Sequence, residues 1–347
     1  MCATPTSLQA GSGLIAMIRP LAFILALPAL WGCIALWYQA PGGKPLRILA
    51  VALWALFSIV MLFAFFRSRN VFIAIAFAVV FGALLLWWHR LMPSNDRRWA
   101  DDVAEMTSGS VEGNRVVLRN VRNFEWRGTS DYTPRWETRS YDLDHLDSVD
   151  MILSYWTIPA IAHVLISFGF DDGDHVVFSV EIRPEKNESY SSIGGFFKEF
   201  ELSILAADER DVIRVRTNVR GEDDYLYRIR MPTADMRALF LAYVGQANSL
   251  VRTPRFYNTV TVNCTTLIYH MLKRIVGKLP LDYRLLFSGY LPGYVYKLGG
   301  LDPRFTLDQL RSFGRITERA ISADRSNAFS ADIRRGVPEI QPPEIAR

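Results

Sequence analysis

The sequence predicts an α+β domain, built from an antiparallel sheet and helices, preceded by three transmembrane α-helices. Three observations give that class. Three uncharged apolar runs, 20–38, 48–66 and 71–88, precede residue 90, each near the ~20 residues a helix needs to cross a bilayer. Short apolar segments bounded by turn residues fill the stretch from 115 to 230, and two segments of helical period follow over 233–249 and 262–276. Charge divides the chain at the same place. The residues before Arg90 hold five basic side chains and no acidic one, leaving 34 basic against all 35 acidic residues in the remainder. The domain is therefore nearly neutral, which argues against a nucleic-acid partner, because binding a phosphate backbone needs a clustered basic excess. Three cysteines in 347 residues make no disulfide framework.

The three runs lack the polar stripe of helices in soluble proteins, and Trp37, Tyr38, Trp87 and Trp88 stand at their ends, as interfacial aromatics do. The expected organisation is a membrane anchor over 1–90, a domain over 91–302 and a polar, partly disordered extension over 303–347. Three spans put the two chain ends on opposite sides of the membrane. The flanking charges leave the orientation open.

Within the domain, 115–121 reads as a strand and 149–155 alternates with period two. His163–Phe170 and His175–Arg183, separated by Asp171-Asp172-Gly173-Asp174, form the clearest hairpin. If Phe170 pairs with Asp174, His163 falls opposite Glu181; if it pairs with His175, His163 falls opposite Ile182. A second hairpin is expected over 211–219 and 225–230, around Gly221. The helix over 262–276 carries Leu267, Ile268, Met271, Leu272 and Ile275 on one face and is closed by Gly277.

The chemistry narrows by elimination. No His-x-x-x-His, Cys/His cluster, calcium loop, phosphate-binding glycine loop or Gly-x-Ser-x-Gly turn is present, so neither a metal nor an organic cofactor is implied. Cys264 is the one cysteine outside the membrane part, in Val262-Asn263-Cys264-Thr265-Thr266 at a helix start. There the unpaired amides and the helix dipole favour thiolate and can hold an oxyanion. A buried structural thiol is the plainer reading. A cysteine nucleophile needs a base. His163 opens an apolar strand, where an imidazole without a partner is costly, and Glu181 is the carboxylate the hairpin can bring to it. The other reading of Glu181 is a surface carboxylate.

Taken together, Ala162-His163-Val164 with Ser167-Phe168, Ser179-Val180-Glu181-Ile182-Arg183, and Tyr257-Asn258 with Asn263-Cys264-Thr265-Thr266 resemble the Lnb family. Its extracytoplasmic domain is similar to a circularly permuted, papain-like thiol fold of the NlpC type, in which the histidine strand precedes the cysteine helix. The resemblance implies acyl chemistry on lipoproteins at the bacterial inner membrane, with the domain on the extracytoplasmic side. It makes Cys264 the nucleophile, His163 the base, Glu181 a motif position beside them, and Asn263, Tyr257 and Arg183 motif positions that shape the substrate site. The implied partner is a membrane lipid or a lipoprotein. Two other readings stay open: an envelope amidase or peptidase of the same fold, and a membrane-bound binding protein in which Cys264 and His163 lie apart.

Overall fold

The computed structural model describes residues 26–186 and 188–340. They fall into two compact units, 26–93 with 193–199, and 94–192 with 200–340.

The first unit contains α1 (residues 26–39), α2 (Lys44–Ser68) and α3 (Val71–His89). Among the described residues, α2 and α3 are long and apolar enough to cross a membrane. The first expected span, 20–38, begins outside the described residues, and its remainder belongs to α1. Trp54 Nε1 donates to the Ala29 carbonyl at 2.8 Å. Its ring lies so close to Gly32 that a Cβ there would sit 2.4 Å from Nε1, so only glycine allows α1 and α2 to meet at this point. The loop 193–199 belongs to this unit. Phe197 stacks on Tyr38 at 6.0 Å, and Gln39 Nε2 donates to the carbonyls of Phe197 (3.1 Å) and Lys198 (2.7 Å).

The second unit is built on one sheet. Its strands are β1 (Ser108–Glu112), β2 (Arg115–Arg122), β5 (Trp136–Asp142), β6 (Leu146–Tyr155), β7 (His163–Phe170), β8 (His175–Arg183), β9 (Glu201–Asp208) and β10 (Asp223–Arg228), with β3 (Glu125–Trp126) and β4 (Tyr132–Thr133) as a separate ribbon. The order is β1-β2-β9-β8-β7-β6-β10, and β5 pairs with β2 off this path. The sheet is mixed where an antiparallel one was expected, because β2 meets β9 in parallel at Arg122 and Ala207.

Helices cover both faces. On one face α5 (Thr233–Arg252), α6 (Cys264–Val276) and α7 (Leu291–Lys297) pack over Val164, Ile166, Phe168 and Phe178. Tyr243 of α5 stacks on Phe178 at 4.8 Å. Leu310 of α8 (Leu307–Gly314) joins the core of this first face, while α4 (Glu209–Arg214), α9 (Thr317–Ser322) and α10 (Phe329–Ile333) lie on the other face. There Ile213, Ile316, Ala320, Phe329 and Ile333 bury against Ile152, Leu165 and Val177. The segment after Pro303, polar as a sequence, thus supplies much of the cover of the second face. Residues 341–347 lie outside the described residues.

The hairpin expected over 211–219 and 225–230 does not form. Residues 209–214 are α4, which continues as a π-helix over Val215–Val219, while β10 pairs with β6. Two forces override the alternating β-branched residues Ile213, Val215, Thr217 and Val219. Asp208 caps the helix by accepting from the Arg210 amide. Val212, Ile213 and Val215 each bury against apolar neighbours, which a helix lying on an already complete sheet allows.

This second face holds a buried ion network. Arg334 donates from Nε to Asp150 at 2.9 Å and from both terminal nitrogens to Glu209 at 2.7 Å. Both carboxylates are fully buried. Arg228 also donates to Asp150, at 2.5 Å, so Arg334→Met should leave Glu209 without its cation and Asp150 with Arg228 alone, at a cost of about 3–5 kcal/mol. Thermal unfolding of the detergent-solubilised protein checks this; an unchanged midpoint would mean that the network contributes nothing.

Candidate active site

Cys264 is the first residue of α6, and its placement is local in origin. Asn258 and Val262 exchange two backbone hydrogen bonds of 3.0 Å, and Asn258 Oδ1 accepts the amides of Val260 (3.1 Å) and Thr261 (2.9 Å). This closes a short loop before the helix. Asn263 then caps α6: its Oδ1 accepts from the amides of Thr265 (3.0 Å) and Thr266 (2.9 Å), and its own amide donates to Thr266 Oγ1 at 2.9 Å. The cap alters the expected oxyanion site. Two first-turn amides are occupied by Asn263, and the Cys264 amide is the one left without an acceptor among the described residues.

His163 is the first residue of β7, and its ring lies within hydrogen-bonding reach of the Cys264 thiol. The β7–β8 register runs from Leu165 opposite Ser179 to Gly169 opposite His175. Continued, it sets His163 opposite Glu181, the first of the two registers the sequence allows. His163 Nε2 lies 2.6 Å from Ser179 Oγ and 3.2 Å from Glu181 Oε1, and Ser179 Oγ donates to Glu181 Oε1 at 2.6 Å. With Nε2 committed there, Nδ1 is the nitrogen left to serve the sulfur.

Strand alternation places His163, Ser179 and Glu181 on the face opposite α6. His163 can be shared by the two faces only because it stands at the end of its strand. Behind Glu181 comes Arg216, from the π-helix. Its guanidinium donates to Glu181 Oε1 at 3.1 Å and to Glu222 Oε2 at 3.4 Å, and Ser154 donates to the same Glu222 oxygen. Ser154 is the cross-strand partner of both His163 and Asp224, and burial pushes the Asp224 carboxyl up to about 7. Sequence reading misses Arg216 and Glu222 because it takes their segment for a hairpin. Ser179 was legible, since it stands two residues before Glu181 and so on the same strand face.

The electrostatics follow from these contacts. Burial would raise Glu181, but the charges of His163 and Arg216 hold it well below the usual carboxylate range. Burial would lower His163, yet the Glu181 charge overrides it and the ring is raised to about 9. For Cys264, burial opposes ionisation. The His163 hydrogen bond and charge, the Val164 amide and the Thr265 hydroxyl, 3.9 Å from Sγ, outweigh it and lower the thiol below its ordinary value. The arrangement favours a thiolate–imidazolium pair.

The remaining expected residues divide. Tyr257 lies close enough to Cys264 that burial, joined by the charge of the sulfur, raises its hydroxyl. Asn263 acts through the cap. Arg183 is placed elsewhere: it donates to the carbonyls of Val103 (2.9 Å) and Ala104 (2.5 Å), and its guanidinium sits 4.4 Å over Trp99. It pins the segment that leads into the domain. Among the described residues no three His, Cys, Asp or Glu side chains gather to hold a metal.

An apolar cavity of about 260 Å³ adjoins the site. It lies between the sheet and α5, α6 and α7, and its wall includes Val164 and Thr265, the two residues whose amide and hydroxyl touch the sulfur.

A thiol at a helix start, an imidazole opening a strand and a half-buried carboxylate behind it define a cysteine–histidine site on an α+β scaffold. Residues 132–289, which hold all of these groups, match the family model described as the Lnb N-terminal periplasmic domain. The chain is Lnb-like over that stretch, and with its apolar helices it has the make-up of an envelope protein with a membrane part and an extracytoplasmic domain. No curated protein and no solved structure shows significant similarity to it.

The ion pair has a direct readout. Alkylation of Cys264 by iodoacetamide, followed on its own peptide by mass spectrometry, should inflect at a pH below the ~8.5 of a free thiol, and His163→Ala should move the inflection upward. An inflection at or above the free-thiol value in the wild type would show that no pair forms.

Proposed function

We propose that the protein is a membrane-anchored thiol acyltransferase acting on lipid-modified proteins of the cell envelope. The observation that carries this reading is the meeting of Cys264, His163 and Glu181 beside a cavity whose wall is mainly apolar. An amidase or peptidase would need polar groups to receive a peptide backbone, whereas this cavity suits a hydrocarbon chain. The order of histidine strand before cysteine helix supports a permuted papain-like arrangement. The third span, 20–38, and a multi-pass place in the inner membrane belong to the same proposal. It holds the site where lipid esters reside.

In this mechanism the Cys264 thiolate attacks the carbonyl carbon of a lipid ester. The Cys264 amide donates to the oxyanion. Collapse breaks the C–O bond, and His163 Nδ1 gives its proton to the departing alcohol, leaving a thioester on Cys264. An amine then attacks the thioester, passes a proton to His163 and leaves as the amide, which restores the pair. Glu181 and Ser179 keep the ring aimed through Nε2. A water-poor pocket favours the amine over hydrolysis.

Cys264→Ser and His163→Ala should each lower transfer by about 10³-fold or more, and the double variant should lose little further, because the pair acts as a unit. Turnover should fall as pH rises through about 9, where His163 gives up its proton, and also on the acid side as the thiolate is protonated. Glu181→Gln should cost less and draw the alkaline limb downward, since the charge that raises His163 is gone. The assay is mass spectrometry of lipoprotein N-terminal peptides, with hydroxylamine release of the acyl group from Cys264. Full activity in Cys264→Ser would end the thiol mechanism. An acyl-enzyme discharged only by water, with a lipoprotein amine present, would make the protein a hydrolase.

A further inference from the structure

The cavity has a direction. Its sheet wall includes Val164 and Ile166 of β7, and its other wall is α6, which contributes Thr265, Ile268, Leu272 and Val276. The last three stand four, eight and twelve residues beyond Cys264, hence about 6, 12 and 18 Å along the helix axis at ~1.5 Å per residue. The hydrocarbon of one bilayer leaflet is about 15 Å deep, half of the ~30 Å core. The two charged wall residues, Arg230 and Asp235, precede and open α5, remote in the chain from the sulfur. At the far end of α6, Val276 is 44% exposed, and Leu298 beside the cavity is 41% exposed, so the cavity opens there. Size limits the occupant. A cavity of about 150 Å³ holds one benzene, so on that scale the present one takes a single chain of about ten carbons, not two chains side by side.

We propose that this cavity binds one acyl chain of the donor lipid, with its carbonyl carbon at Cys264 and its methyl end directed toward Val276, and that the α6 side chains set the length accepted. This rests on the acyl-transfer reading and adds to it that the donor enters one chain at a time. A second chain on the same lipid stays outside. The chain is held by burial alone, since the wall between Thr265 and Val276 offers it no charged partner.

The test measures the cavity without using acyl transfer. N-alkyl iodoacetamides, from methyl to hexadecyl, alkylate the thiolate with loss of iodide whatever its natural donor. The full-length protein in detergent is labelled, and Cys264 is quantified on its peptide. For each variant the ratio of long-probe to methyl-probe labelling is compared with the wild type, which cancels partition of the probe into micelles. Ile268→Trp should lower the dodecyl-to-methyl ratio by about tenfold or more, through the methylenes it keeps from being buried. Leu272→Trp should act only on longer chains, and Val276→Trp only on the longest. Equal ratios in all three variants, or an order unrelated to distance from Cys264, would overturn the proposal. Where a tryptophan variant does not fold, the phenylalanine variant at that position replaces it. Independently of any variant, decanoate should slow methyl labelling of the wild type several-fold, and no protection would also overturn it. A stepwise ruler with no transfer to a lipoprotein amine would keep the chain site and discard the transferase. Transfer with a flat ruler would do the reverse.

Discussion

A carboxylate kept charged inside the protein is the constraint on which the site depends. Glu181 is largely withdrawn from water, and burial by itself would neutralise it. It stays ionised because Ser179, His163 and Arg216 converge on one of its oxygens. Its charge then lifts His163, and the protonated ring in turn favours thiolate at Cys264. The dependence links the two faces of the sheet: His163 and Arg216 together keep the carboxylate charged, the carboxylate raises the imidazole, and the imidazole lowers the sulfur. Single-turn π segments are uncommon and concentrate at functional positions. Here the wider turn delivers Arg216 between two glutamates, Glu181 and Glu222.

The site joins two structural economies. The sulfur side is built from near neighbours in sequence: the Asn258–Val262 closure, the Asn263 cap and the start of α6 lie within ten residues of one another. The base side is assembled from β6, β7, β8, β10 and the π-helix, so its geometry depends on the whole sheet being in register. Local unfolding near α6 would disturb the thiol first, while disturbance of the second face would act through the charge of Glu181. The cavity sits on the sulfur side, and its wall shares Val164, Ile166 and Ile268 with the core of that face.

Local signals made the first of these parts legible in the sequence. The turn Asp171–Asp174 between two apolar runs fixed the β7–β8 pairing to within one residue, and that register alone brought Glu181 to His163. The amphipathic face ahead of Gly277 located α6 and put Cys264 in its first turn, while the Asn263 cap moved the start of the helix from 262 to 264. The segment 211–219 was misleading because the β-branched Ile213, Val215, Thr217 and Val219 alternate as in a strand; the choice was made by the Asp208 cap and by a sheet already complete without it. The helices after Thr306 were hidden for a different reason: Ile316, Ala320, Phe329 and Ile333 are spread through polar sequence and become a core only when folded against β6 and β7. Arg183 has a structural task the sequence did not show: its hydrogen bonds hold residues 103 and 104.

The excursion at 193–199 has a topological consequence. These seven residues leave the domain between β8 and β9 and pack with the apolar helices, where Phe197 meets Tyr38 and Gln39 holds its carbonyl. The chain therefore passes between the two units three times, near residues 93, 192 and 199. A cut that removes the helices does not separate the units cleanly. It strands Phe197 in water, with its aromatic partners Trp31, Tyr38 and Trp88 gone, so a soluble form of the domain would have to replace that tip as well as shed the helices.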